Sequence, residues 1–231
     1  MTTLILIPGF MCTGALFGPQ RPALQQHLPV VVAVPTQRTV TAMASAILDE
    51  VPGPLVVAGL SMGGIVAMEM LRQAPGRIAR LALLDTTPLA DAPANHGIRT
   101  RQIADVHAGH LRRVMREELK PAYLVDSPQK PTLLDLCMDM AESLGPDVFE
   151  AQALALRDRA DLQGALHLAP PGTLILCGAH DRLCPPERHD LMHGLAPAST
   201  RVDIPDAGHL PTLENPQATT AALVGWLEKA A

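Results

Sequence analysis

A chain of 231 residues is long enough to bury one substantial core, and a composition of 48% hydrophobic and 18% charged residues is that of an ordinary globular protein. The net charge of −5 excludes the basic footprint of a nucleic-acid binder, and no apolar run reaches membrane-spanning length. Met1-Thr2-Thr3-Leu4 has neither the basic start nor the small-residue cleavage site of a signal peptide, so the expectation is one cytoplasmic domain over residues 1–231, with neither nucleic acid nor membrane as partner.

In chain order, residues 3–7 read as a short apolar strand that ends at Pro8-Gly9-Phe10 and turns through Cys12-Thr13-Gly14. A modest helix covers about 19–27. The β-branched run 30–34 reads as a buried parallel strand. A helix over 39–50 places Ala42, Met43, Ala46 and Ile47 on one face. Residues 55–58 form another buried strand, followed by a helix from Met62 to about Gln73. The apolar run 78–84 is a fourth strand and ends at Asp85.

The alternation of strand and helix pauses there. Residues 86–164 hold helical patterns and no clear strand: Ile98, Gln102, Ile103 and Val106, then Leu111, Val114, Met115 and Leu119, then Leu133, Leu136, Cys137, Met140 and Leu144, with a last helix from near Asp147. Such an insert reads as a helical cap over the C-terminal ends of the strands. Strands at 173–177 and 200–204 resume the alternation. A helix at 185–195 opens on Pro185, and a closing helix at 215–229 has Asn215 as N-cap and Pro216 at its first position. The pattern implies a doubly wound, mostly parallel six-stranded sheet with a helical cap, 86–164, inserted after the fourth strand. With only three Phe, one Tyr and one Trp, the core and any pocket are built mainly from Leu, Val, Ile, Ala and Met.

The chemistry centres on Gly59-Leu60-Ser61-Met62-Gly63-Gly64, between a strand and a helix. A strand that turns directly into a helix brings the residues on either side of the turn too close to carry side chains, hence the two glycines around Ser61. The serine is pushed outward in a strained conformation. A serine nucleophile needs a base, and the base needs an acid to hold its tautomer. Asp181 lies in Gly178-Ala179-His180-Asp181, just after a strand, and His209 lies in Gly208-His209-Leu210, between the last strand and the last helix. Both loops leave the sheet at the same C-terminal edge as Ser61, where ligands bind in open α/β sheets. Asp85 and Asp206 are rival acids, Asp85 the better placed.

These motifs, together with Glu214-x-Pro216, resemble the α/β-hydrolase superfamily over nearly the whole chain, and the cap is similar to that of small esterases and proline-iminopeptidase-like members. The resemblance implies the α/β-hydrolase fold with Ser61 as nucleophile, His209 as general base and then acid, and Asp181 as the acid that orients it. It implies an oxyanion hole from the amide of Met62 and one amide of the loop after the first strand. Pro8-Gly9-Phe10 aligns with the His-Gly-x of many relatives, which points to Phe10, with Met11 the alternative. The chain departs from many relatives in starting directly on the strand before that loop, without an N-terminal hairpin. The implied activity is a serine hydrolase that cleaves a small carboxylic ester or thioester through an acyl-enzyme, with no metal or organic cofactor, as a monomer or homodimer. C–C bond hydrolases and lyases use the same constellation, and a ligand-binding receptor with slow turnover is a further alternative on this fold. An iminopeptidase would need inward-facing cap acids, for which Glu142 and Glu150 are candidates.

Three other features have plainer readings. His189-Asp190-Leu191-Met192-His193 imitates zinc-ligand spacing but has no third ligand, so His189 and His193 are expected to be solvated on a helix. Arg99, Arg101, Arg112, Arg113 and Arg116 either pair with Asp105, Glu117 and Glu118 on solvated faces or meet an anionic substrate at the cap mouth. Cys12, Cys137, Cys177 and Cys184 show no metal or redox spacing and are expected to be reduced, a Cys177–Cys184 disulfide being the alternative.

Overall fold

Six apolar segments pair side by side in the computed structural model, which describes residues 2–229. They are β1 (Thr3–Ile7), β2 (Val30–Val32), β3 (Leu55–Leu60), β4 (Ile78–Leu84), β5 (Leu174–Gly178) and β6 (Thr200–Ile204). All pairings are parallel, in the order β2-β1-β3-β4-β5-β6. Parallel strands need crossovers, and these are the helices, so the central strands are covered on both faces. Every residue of β3 is buried accordingly. Ile7 pairs with Gly59, Leu60 with Leu84, and Leu84 with Leu176, so the C-terminal ends of four strands lie abreast. The ladder continues past the strand ends: the Ser61 N–H donates to Leu84 O at 2.9 Å and the Asp85 N–H to Leu176 O at 3.0 Å.

Two expectations change at the edge of the sheet. The run 30–34 yields a strand of only three residues, each half-buried, because β2 is an outer strand with one neighbour. The helix expected over 19–27 contracts to Arg21–Leu24, where only Leu24 is buried; Gln25, Gln26 and His27 offer no apolar face to extend it.

Helix Val40–Glu50 starts where Thr39 Oγ1 accepts from the Ala42 N–H at 3.1 Å. Its buried stripe is Val40, Met43, Ala44, Ile47 and Leu48. Ala42 is exposed, contrary to expectation, because the stripe that includes Val40 and Leu48 is centred one position further on. Helix Met62–Gln73 is buried along almost its full length between the sheet and helix Val40–Glu50.

Between β4 and β5 the described chain is helical, with no strand. The main helices there are Pro93–Asp105 and Lys130–Arg157. The latter is broken at Gly145 (φ 78°) and Pro146, which supplies no N–H, so a new helix sets off near Asp147 as the pattern implied. Phe149, on that second half, packs edge-on against Phe10 at 5.1 Å between ring centroids, which joins this segment to the loop after β1. The closing helix, Pro216–Glu228, is capped by Asn215 Oδ1, which accepts from Ala218 N at 3.3 Å. Among the described residues no helix is long and apolar enough to cross a membrane.

Candidate active site

Strand β3 ends at Leu60 and the next helix begins at Met62, so the chain reverses on Ser61 alone, at φ 56° and ψ −116°. A left-handed φ on a residue with a Cβ is strained, and the surroundings hold it there. A Cβ on Gly59 would overlap the Gly63 carbonyl, and one on Gly63 would overlap the Ile7 carbonyl. The two glycines thus let β3, the helix and the end of β1 touch through backbone.

The loops after β5 and β6 meet this turn. His209 Nε2 lies 2.8 Å from Ser61 Oγ, and His209 Nδ1 lies 2.8 Å from Asp181 Oδ2. The side chains of His209 and Asp181 are fully buried, so the pair is shielded from water. Asp181 Oδ1 accepts from the amides of Leu183 and Cys184 at 2.8 and 3.0 Å. Burial pushes the Asp181 carboxyl up, but the charge and hydrogen bond of His209, with those two amides, hold it below the usual carboxylate range.

Among the described residues neither rival acid bonds His209. Asp206 is exposed in a left-handed turn after β6. Asp85 is fully buried at φ 44°; its Oδ1 accepts from Gly178 N at 2.7 Å, and its Oδ2 has no hydrogen-bond partner among the described residues. Burial, and then the negative charge of Asp181, raise the Asp85 carboxyl well above its usual range. Asp181, and not Asp85, is the carboxyl that faces the imidazole.

Three residues hold the histidine loop. Glu214 accepts from the amides of Val125, Gly208 and Leu210 at 2.7, 3.0 and 3.0 Å. Tyr123 O accepts the His209 N–H at 2.7 Å, and the Tyr123 ring lies edge-on to the imidazole at 4.9 Å. Lys120, itself fully buried, places Nζ 4.1 Å from the centre of the Tyr123 ring. Tyr123 and Lys120 carry no local sequence signal for this task.

The choice between Phe10 and Met11 turns on a residue that sequence reasoning missed. Gln152 is fully buried and its Oε1 accepts the Met11 N–H at 2.8 Å, while its Nε2 donates to Pro35 O at 2.7 Å. The Met11 amide is thereby engaged. The amides of Phe10 and Met62 have no acceptor among the described residues. Gly9 packs against the turn at Ser61, where a Cβ would lie 3.2 Å from Ser61 Cβ, so the loop after β1 abuts the serine.

A cavity of about 430 Å³ opens beside Ser61, Phe10 and Met62. Ile65, Leu119 and Leu156 give it an apolar wall, and Asp91, Arg99, Arg159 and Arg188 a charged one. Of the five arginines singled out in the sequence, Arg99 alone lines it. Arg101 and Arg113 both bridge Asp105 and Glu118, Arg112 pairs with Glu142 at 2.7 Å, and Arg116 with Asp135 at 3.4 Å. The Arg101 hydrogen bond brings the Glu118 carboxyl down to about 2. Glu117 makes no ion pair among the described residues. Glu142 and Glu150 are likewise turned away from the cavity, Glu150 onto Arg38 and His107.

His189 departs from expectation. It and Met192 form the buried face of helix Pro186–Leu195, so it is fully buried rather than solvated. Its Nε2 accepts from Thr86 N at 3.3 Å, and burial pushes its pKa down to about 4. His193 instead bonds Ser199 Oγ at 2.7 Å, so the two histidines share no site. The donor atoms of Asp85, Cys177 and His189 do cluster within 4.8 Å, but the Cys177 thiol donates to Gly178 O and burial holds it protonated. All four cysteines are free and buried, Cys177 and Cys184 included.

Esterases and other hydrolases are among the known proteins that this chain resembles. A model of the alpha/beta hydrolase family matches residues 4–223. The pimeloyl-[acyl-carrier protein] methyl ester esterase of Methylococcus capsulatus is 31% identical across 77% of this chain and 72% of its own. A malate-bound thermophilic esterase from Thermogutta terrifontis superposes with a TM-score of 0.89 at 31% identity, covering 98% of this chain and 89% of that one. The enol-lactonase from Burkholderia xenovorans shares the fold at a TM-score of 0.86 and 18% identity, over 99% of this chain and 92% of its own. A six-stranded parallel sheet that carries its serine on a one-residue strand-to-helix turn, matched by the family model along nearly its whole length, belongs to the alpha/beta hydrolase family.

Proposed function

We propose that this chain cleaves a small carboxylic ester or thioester through an acyl-enzyme on Ser61. The esterases among its relatives support an ester-cleaving hydrolase. The observation that carries the serine mechanism is the continuous run from Ser61 Oγ to His209 Nε2 and from His209 Nδ1 to Asp181 Oδ2, each step 2.8 Å. His209 takes the hydroxyl proton as Ser61 Oγ bonds to the acyl carbon. The amides of Phe10 and Met62 receive the developing oxyanion; the second sits at a helix N-terminus, whose dipole favours negative charge. As the bond from the acyl carbon to the leaving oxygen or sulfur breaks, His209 returns the proton to the leaving group. Water then attacks the acyl carbon, gives its proton to His209, and the acid departs as that proton goes back to Ser61. Asp181 stays ionised throughout and stabilises the imidazolium. The helical segment 86–164 acts as the cap that encloses the acyl group, and the free cysteines favour a cytoplasmic setting.

The test is fluorophosphonate labelling with peptide mapping, beside hydrolysis of p-nitrophenyl acetate and butyrate by wild type and Ser61→Ala. Label on Ser61 and turnover that vanishes in the variant are expected. Absence of label on an intact, folded protein would withdraw the serine mechanism.

A further inference from the structure

The cavity beside Ser61 holds more positive charge than its own acids neutralise. Three arginines, Arg99, Arg159 and Arg188, and two acids, Asp91 and Glu118, line it. Glu118 is engaged by Arg101 and Arg113, neither of which lines the cavity. Asp91 alone serves the other two guanidinium groups: its Oδ2 is 2.6 Å from Arg99 Nε and its Oδ1 is 3.3 Å from Arg159 Nη1. Arg188 has no carboxylate partner among the described residues.

Arg159 is built to stay in place. Its side chain is 9% exposed, its Nε donates to Leu89 O and its Nη1 to Leu156 O, both at 2.9 Å. Its Nη2 has no partner among the described residues. A guanidinium held on one side by two carbonyls loses little further freedom when its open edge meets a ligand. Burial lowers the Arg159 pKa despite Asp91, so its charge is under-compensated as it stands. The same lining includes Ser61 and the apolar side chains Ile65, Leu119 and Leu156, which suit a short methylene chain.

We propose that Arg159 and Arg188, braced by Arg99 and Asp91, form an anion subsite that binds a second, free carboxylate on the substrate, so that the substrate class is the monoester of a short dicarboxylic acid. This rests on the esterase reading above. The carboxylate takes the open edge of Arg159 and the exposed head of Arg188 while the ester carbonyl lies at Ser61. Of the arginine-rich run in the sequence, Arg99 belongs to this subsite, whereas Arg101, Arg112, Arg113 and Arg116 do not line the cavity and pair with acids.

The experiment measures binding without turnover. Monomethyl adipate and methyl hexanoate, which share a six-carbon acyl chain and differ in the carboxylate, are titrated calorimetrically into the Ser61→Ala protein. Monomethyl adipate is expected to bind at least about tenfold more tightly, the worth of one charge-assisted hydrogen bond. Adding Arg188→Ala should erase most of that advantage; Arg188 is exposed, so the fold tolerates the change. Arg159→Gln, with its fold checked by circular dichroism, should do the same. With Ser61 intact, Arg188→Ala and Arg159→Gln should each lower the ratio of kcat/KM for monomethyl adipate over methyl hexanoate in parallel, mainly through KM. Equal affinities for the two esters, or an advantage that survives both substitutions, would overturn the subsite. Failure of the esterase reading is separate: a wild type that hydrolyses neither ester and takes no fluorophosphonate on Ser61 sinks that reading whatever the calorimetry shows.

Discussion

The C-terminal edge of the sheet and the helical segment 86–164 are held together by different physics. At the sheet edge the contacts are backbone against backbone. Gly63 abuts Ile7, Gly178 abuts Gly208, and Met11, Ser61 and Asp85 sit at positive φ at or just beyond the ends of β1, β3 and β4. Such contacts leave little slack, so Ser61 is placed by the close packing of backbone on backbone. In the helical segment the contacts are side chain against side chain, including the solvent-facing ion pairs of Arg101, Arg112, Arg113 and Arg116. Those are replaceable one at a time. On the proposed mechanism, the difference places the chemistry where substitution is least tolerated and substrate choice where it is most tolerated.

The comparison breaks most visibly at Gly63. Gly63→Ala drives a Cβ into the Ile7 carbonyl and should cost more than about 4 kcal/mol, read as loss of soluble protein or of the urea transition. A well-folded, stable Gly63→Ala protein would mean the edge has slack after all.

The next effect is a pH dependence on the sheet side. His189 is held neutral by burial, with its pKa moved from 6.5 to about 4, whereas the unfolded chain binds a proton below 6.5. Its contribution to stability is therefore complete above pH 6.5 and is lost as pH falls toward 4, by up to about 3 kcal/mol. Urea unfolding at a series of pH values, compared with His189→Gln, isolates this: the variant's slope between those limits should be flatter. Identical slopes would show that the burial carries no titration.

Gln152 sharpens the comparison, because it reaches from the helical segment to the loop after β1. Gln152→Leu leaves the Met11 amide unsatisfied and the Phe10 donor less well placed. On the proposed mechanism kcat should drop about tenfold with little change in KM, since the lost support acts mainly at the oxyanion. A change confined to KM would assign Gln152 to substrate binding. Smallest of all is Arg101→Ala, which removes exposed ion pairs to Asp105 and Glu118 and should leave the urea midpoint indistinguishable from wild type.

Much of this protein was legible in the sequence because its determinants are local. A strand that must reverse within one residue writes Gly59-x-Ser61-x-Gly63 into the chain. Buried parallel strands write continuous apolar runs. Helix starts write Thr39, Asn215 and Pro216. The loops that leave one edge of the sheet narrowed the candidates, the order Ser61, Asp181, His209 came from the resemblance to the superfamily, and the structure brings those three side chains together. The tertiary structure decided what depends on neighbours distant in sequence. It put β2 at an edge, so a β-branched run became half-buried. It turned His189 inward, although its helix has a weak pattern of its own. It set Gln152 on Met11, 141 residues away, and so left the Phe10 amide free. It also selected which guanidinium groups line the cavity. Charge spacing along a helix reports which residues share a face, whereas the packing of that face against the sheet determines whether it meets water or the substrate.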